Sequence, residues 1–180
     1  MSTQIQIFIL SRLMEENNYP YKIKKQLSEP IPLDQLVGLT ESKLYYHFDS
    51  LVKQGLIVIV EIIKEEHRPD KQVFGITEKG RQELPKKIYK LFENADAITD
   101  MLVGLSNLDY VDRNKIIDIL EKKLESFTAR WEQVKTFDKV EFYPDKEKLI
   151  NFISGYYSTR TDHTIRWMEE LINRLKNEEI

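Results

Sequence analysis

Apolar residues recur at helical spacing from the start of the chain. Ile5, Phe8, Ile9, Leu13 and Met14, with polar residues between them, predict a half-buried helix over Thr3 to Asn17. After "NNYP" a second helix is expected from about Tyr21 to Ser28. "EPIP" stops it, because proline lacks an amide donor and disfavours helical geometry in the residue before it. Leu33, Leu36 and Val37 read as a short connector. "LTESKLYYHFDSLVKQGLI", residues 39–57, predicts a third helix capped by Thr40 and ended by Gly55, with Leu44, Phe48, Leu51 and Val52 as its apolar stripe. Its outer face is expected to carry Ser42, Lys43, Tyr46 and His47. Tyr45, about 100° from Tyr46 on a helix, goes to the core side.

The pattern then changes period. The β-branched run Leu56 to Ile63 and the stretch Gln72 to Thr77 flank a polar "KEEHRPD", which reads as a hairpin with a charged tip. Thr77 caps a further helix, in which Pro85 marks a kink or a restart. Beyond Lys86 three helical segments are expected, about Lys86 to Leu105, Tyr110 to Lys135 and Asp145 to Asn177, with Asp109 capping the second and Pro144 opening the third. In the second, Ile117, Leu120, Leu124, Phe127, Trp131 and Val134 step by three and four, a heptad seam. A less regular stripe in the third includes Ile150, Ile153, Tyr157, Thr164, Met168, Leu171 and Leu175. The fold class that follows is mainly α with a small β-hairpin: a winged helix-turn-helix over residues 1–85, then a helical domain over 86–180.

Composition narrows what such a fold does. With 180 residues, 41% of them hydrophobic, the chain has material for a core. Its longest apolar run is too short to cross a bilayer, and Met1 to Leu10 lacks a basic leader, so a cytoplasmic protein is expected. Without cysteine there is no disulfide framework. His47, His67 and His163 form no metal-ligand pattern. There is also no glycine-rich phosphate loop, no Gly-x-Ser-x-Gly and no carboxylate pair placed for acid and base work. Neither catalytic residues, a metal nor a cofactor is expected. The formal charge of −3 argues against a surface that binds polyanions everywhere, and residues 1–84 hold 11 basic against 12 acidic side chains. Nucleic acid would need a local basic rim.

Four stretches carry a resemblance: "IFILSRL" (7–13), "YPYKIKKQL" (19–27), "LTESKLYYHFDSLVKQGLI" (39–57) and "RPDKQVFGITEKGRQEL" (68–84). In this order and spacing the chain resembles the PadR family of transcriptional regulators, and its C-terminal half looks like the longer, virulence-activator-like branch. It departs from the family's usual His-Gly-Tyr at Tyr19, Pro20 and Tyr21, and from its usual Pro at Tyr46.

The resemblance implies a homodimer on double-stranded DNA. Ser42, Lys43, Tyr46 and His47 would face the major groove, with Tyr45 offering its hydroxyl to a phosphate. Arg68 and Lys71 would act from the wing, and Tyr21, Lys22 and Lys25 along the backbone. The dimer interface would be formed by Ile117, Leu120, Leu124, Phe127, Trp131, Tyr157, Met168, Leu171 and Leu175. Trp131, Tyr156, Tyr157 and Trp167 suggest a pocket for a small aromatic effector, against the plainer reading of core or dimer seam. The rival function is a winged helix that binds protein rather than DNA.

Overall fold

The computed structural model describes residues 2–27, 41–64, 70–135 and 144–180. The connector at Leu33, Leu36 and Val37, the Thr40 cap, Arg68 and His67 lie outside these residues. The elements in chain order are α1 (Ser2–Glu15), α2 (Pro20–Leu27), α3 (Glu41–Lys53), β1 (Ile57–Ile63), β2 (Lys71–Ile76), α4 (Glu78–Asn94), α5 (Ile98–Leu105), a 3-10 turn (Leu108–Tyr110), α6 (Arg113–Lys135), a second 3-10 turn (Pro144–Lys146) and α7 (Glu147–Lys176). No helix among the described residues is long and apolar enough to cross a membrane.

By internal contacts the chain forms two compact units, residues 1–91 with 101–111, and residues 92–100 with 112–180. In the first, α1 is the hub. Gln4 to Leu10 and Ser11 are all buried, so the expected half-buried helix is enclosed on every side by α2, α3, β2 and the returning 101–111 segment. Tyr110 Oη reaches the Ser11 carbonyl at 3.5 Å, and Lys87 Nζ donates to Gln6 Oε1 at 2.9 Å. The Lys87 contact, and the hydrogen bond that Ser11 Oγ donates to the Phe8 carbonyl at 2.9 Å, explain why Gln6 and Ser11 are tolerated within α1. Phe48 of α3 meets Phe74 of β2 with ring centroids 4.8 Å apart, which fixes the hairpin against the third helix.

β1 and β2 pair antiparallel from Ile57 opposite Ile76 to Ile63 opposite Lys71, with an irregularity between Ile59 and Glu61 that leaves Val60 as a bulge. Asn18, in the α1–α2 turn, exchanges both backbone hydrogen bonds with Phe74, at 2.9 and 2.8 Å, and so adds one bridge to the other edge of β2. Gly75 is where this turn comes closest. A Cβ there would lie 2.7 Å from Asn17 Oδ1 and 2.9 Å from Val60 Cγ1.

Several expected boundaries move. α4 runs through Pro85 without restarting, and the break comes at 95–97 instead, so the single helix expected from Lys86 to Leu105 is two. The cap of α6 is Asp112, not Asp109: its carboxylate accepts the Asn114 amide at 2.9 Å, while Asp109 sits inside the 3-10 turn.

In the second unit α6 and α7 pack together. Ile116, Ile117, Leu120, Met168, Leu171, Ile172 and Leu175 are buried. Lys176 at the end of α7 pairs with Glu121 in the first half of α6 at 2.6 Å, so the two helices run antiparallel. The expected seam is therefore split. Ile117, Leu120, Met168, Leu171 and Leu175 close a hairpin within the chain, while Leu124, Phe127 and Trp131 are half-buried and Tyr157 is exposed.

Candidate functional site

The candidate site is the outer arc of α3 and what flanks it. At about 100° per residue, Leu44, Phe48 and Leu51 share one side of the helix, and all three are fully buried. The opposite arc presents Ser42, Lys43, Tyr45, Tyr46, Asp49 and Val52, all exposed, with Tyr46 at 68%.

Three expectations, for His47, Tyr45 and Val52, fail on this helix. His47 follows Lys43 by four positions, which places it near the outer face, but it also precedes Leu51 by four, which places it equally near the core. The core wins, and His47 is only 5% exposed. Tyr45 lies outside the buried arc and is exposed, not on the core side, and Val52 leaves the apolar stripe with it. The His47 ring meets Tyr46 edge to face at 5.5 Å. Burial pushes its pKa below the ordinary 6.5, and the positive chain N-terminus adds to the shift. With Nδ1 buried and without a hydrogen-bond partner, the neutral ring is the form this position accommodates.

α2 supplies a second group. Pro20 opens it at a position where the missing amide costs nothing. Tyr21 is 65% exposed and Lys25 is exposed beside it, while half-buried Lys22 pairs with Glu16 at 2.7 Å. At the tip end of the hairpin, opposite Ile63, Lys71 Nζ lies over the Tyr19 ring, 5.6 Å from its centroid, linking the wing to the start of α2.

The hairpin is held to α3 by a clamp that sequence reading took for a simple cap. Gly55, at φ +70°, ends α3 in the left-handed conformation. Leu56 N then bonds back to the Leu51 carbonyl at 3.0 Å. Thr77 Oγ1 donates to the Gly55 carbonyl at 2.7 Å and accepts the Gly80 amide at 3.1 Å, and Lys79 Nζ donates to the Gln54 carbonyl at 2.7 Å. Gly80 lies so close to Leu56 that a Cβ would run into its carbonyl oxygen. The "TxxG" of "TEKGRQEL" was the available signal, since a small residue three positions after a cap points to a close approach.

The aromatic residues considered for an effector pocket do not enclose one. Tyr156, Tyr157 and Trp167 are exposed and Trp131 is half-buried. The groove beside Tyr156 is an open face of α7, lined by Asn151, Phe152, Gly155, Thr159, Arg160 and His163.

The model of the PadR-like transcriptional regulator family matches residues 9–86, the stretch that contains α2, α3, the hairpin and the clamp. No curated protein matches the sequence. Three solved structures bear a likeness. PadR of Bacillus subtilis in complex with operator DNA is 15% identical, over 94% of this chain and 98% of its own, with a TM-score of 0.42. The same protein in complex with p-coumaric acid is 16% identical over 96% and 99%, at 0.40. A PadR family transcription regulator from hypervirulent Clostridium difficile is 23% identical over 48% and 84%, at 0.40. Residues 9–86 are thus similar to the PadR-like family of transcriptional regulators.

Proposed function

We propose that the chain is a sequence-specific DNA-binding regulator that represses a promoter by occupying a palindromic site as a homodimer. Residues 1–85 are the DNA-binding domain in this reading and residues 86–180 the dimerisation domain. The observation that carries it is the outer arc of α3. A helix anchored by Leu44, Phe48 and Leu51 turns Ser42, Lys43, Tyr45 and Tyr46 to solvent within a stretch similar to a family of transcriptional regulators. Polar and basic side chains on the first turns of such a helix can reach base edges in a major groove. Tyr21, Lys22 and Lys25 of α2, with Lys71 and Arg68 of the hairpin, serve as phosphate contacts. His47 is left out of the contact set because its ring is in the core.

One module makes few contacts, and two related by a twofold axis read half-sites about 34 Å apart. Release by a small aromatic molecule is part of this reading, and it requires a molecule that binds one dimer geometry better than another. Nuclease footprinting of the DNA upstream of the protein's own coding region tests the reading. The expected result is one protected site with twofold-related halves at that spacing; uniform protection or none contradicts it.

A protein-interaction module is the second reading, favoured by β1, whose Val58, Ile59, Val60, Ile62 and Ile63 are exposed in a half-chain with 12 acidic and 11 basic residues. Under that reading the protein binds DNA from its own promoter region and an unrelated duplex alike, or neither.

A further inference from the structure

We infer that α7 pairs antiparallel with α7 of a second copy through an aromatic stripe separate from its packed seam. The inference rests on the homodimer reading above and names the surface involved. Phe152, Tyr156, His163 and Trp167 are all exposed, Phe152 at 74%. Taking Phe152 as zero and about 100° per residue, the other three fall within roughly 60° of it, which makes one line along the helix. The residues buried against α6 (Thr161, Met168, Leu171, Ile172, Leu175) lie between roughly 100° and 200°. The helix therefore has two apolar faces, and only one is satisfied within the chain.

Two features select a second copy as the occupant. The stripe reads the same in both directions, since Phe152 is mirrored by Trp167 and Tyr156 by His163 about a centre between Thr159 and Arg160. A twofold axis through that centre sets Phe152 against Trp167 of the second copy and Tyr156 against its His163, ring on ring at both ends, the self-complementarity that an isologous contact requires. The flanking charges are compatible. Lys148 faces Leu171 of the second copy, one residue from Glu170, which also pairs with Arg174 of its own chain, and Arg166 faces Ile153, one residue from Phe152. Arg160 beside the axis meets its own copy, a like-charge contact that ordinary salt screens. Gly155, with nothing within 4 Å of where a Cβ would stand, leaves room on the flank for close approach.

The chain has no cysteine, so introduced thiols report without background. Thr159→Cys, next to the axis, is expected to give a disulfide-linked dimer on mild oxidation. Phe152→Cys mixed with Trp167→Cys is expected to cross-link, while Phe152→Cys alone is not. In the antiparallel pair the two 152 positions are about 22 Å apart, at roughly 1.5 Å per residue, and a disulfide needs Cα atoms within about 7 Å. In parallel, sedimentation velocity is expected to find the unmodified protein dimeric and Tyr156→Glu monomeric, with circular dichroism verifying that this exposed position leaves the fold intact. A dimer that fails to link at Thr159, self-links at Phe152 or survives Tyr156→Glu overturns this face and leaves the homodimer reading standing. A monomeric unmodified protein overturns both.

Discussion

Gly80→Ala tests whether the clamp between α3, the hairpin and α4 is as tight as its geometry states. The added Cβ would lie 2.7 Å from Ile76 Cγ1 and 3.1 Å from the Leu56 carbonyl carbon, with the Leu56 oxygen nearer still, where ordinary contact begins near 3.4 Å. Backbone lies on one side and a β-branched side chain on the other, so neither neighbour can rotate away cheaply. Relief comes from displacing the first turn of α4, which stretches the hydrogen bonds from Thr77 Oγ1 to Gly55 and from Gly80 N to Thr77. Overpacking costs about 1–3 kcal/mol and a lost hydrogen bond about 1. Alanine's better helix propensity returns up to about 1 kcal/mol. The net loss is therefore about 1–3 kcal/mol. Gly55→Ala differs in mechanism: nothing lies within 4 Å of its Cβ, so only the φ of +70° is penalised, at about 1–2 kcal/mol, and Gly55→Asn recovers part of it. Urea denaturation followed by far-UV circular dichroism reads both. A Gly80→Ala protein as stable as the parent would refute the close approach.

Three further outcomes follow. Because burial lowers the His47 pKa, the unfolded chain binds a proton near pH 6.5 that the folded one refuses. Its contribution to stability is complete above that pH and is lost as pH falls through it. Between pH 7.5 and 5.5 the parent should lose more stability than His47→Gln, and parallel curves would remove His47 from the account. Lys43→Ala should cost about 1–3 kcal/mol of binding and relax sequence preference if the side chain reads a base, whereas Lys25→Ala, at a phosphate, should lower the salt slope by about 1. Unchanged binding by both variants argues against this face. Leu120→Ala opens a cavity at a fully buried position between α6 and α7 and should cost about 2–5 kcal/mol in thermal unfolding; a loss below about 1 would mean the hairpin core is elsewhere.

Period was the most legible part of the sequence. The 3.6-residue stripe of α3 and the β-branched run of β1 marked the helix and the strand closely, because periodicity in the one and residue type in the other are local signals. What escaped was set by more than one neighbour. α1 is covered on every side, so its polar Gln4, Gln6 and Ser11 hid its full burial. His47 sits midway between Lys43 and Leu51 on the helical wheel, and spacing alone does not choose between them. Pro85 lies in the middle of α4, where the loss of one amide bond did not break the helix. The heptad of α6 did not reveal its division: its first half closes on α7 of the same chain, while Leu124, Phe127 and Trp131 are half-buried. The aromatic stripe of α7, Phe152, Tyr156, His163 and Trp167, is hidden in the sequence by the more apolar stripe that runs beside it on the same helix.

Fluorescence-anisotropy titration of the full chain against DNA from its own promoter region and against an unrelated duplex, each at two salt concentrations, tests the central claim most directly. The account predicts tighter binding to the promoter DNA at both salts, with affinity for each duplex falling as salt rises because lysine and arginine displace counterions from phosphate. Equal binding to the two duplexes, or none, would contradict it and turn attention to a protein partner for the exposed strand β1.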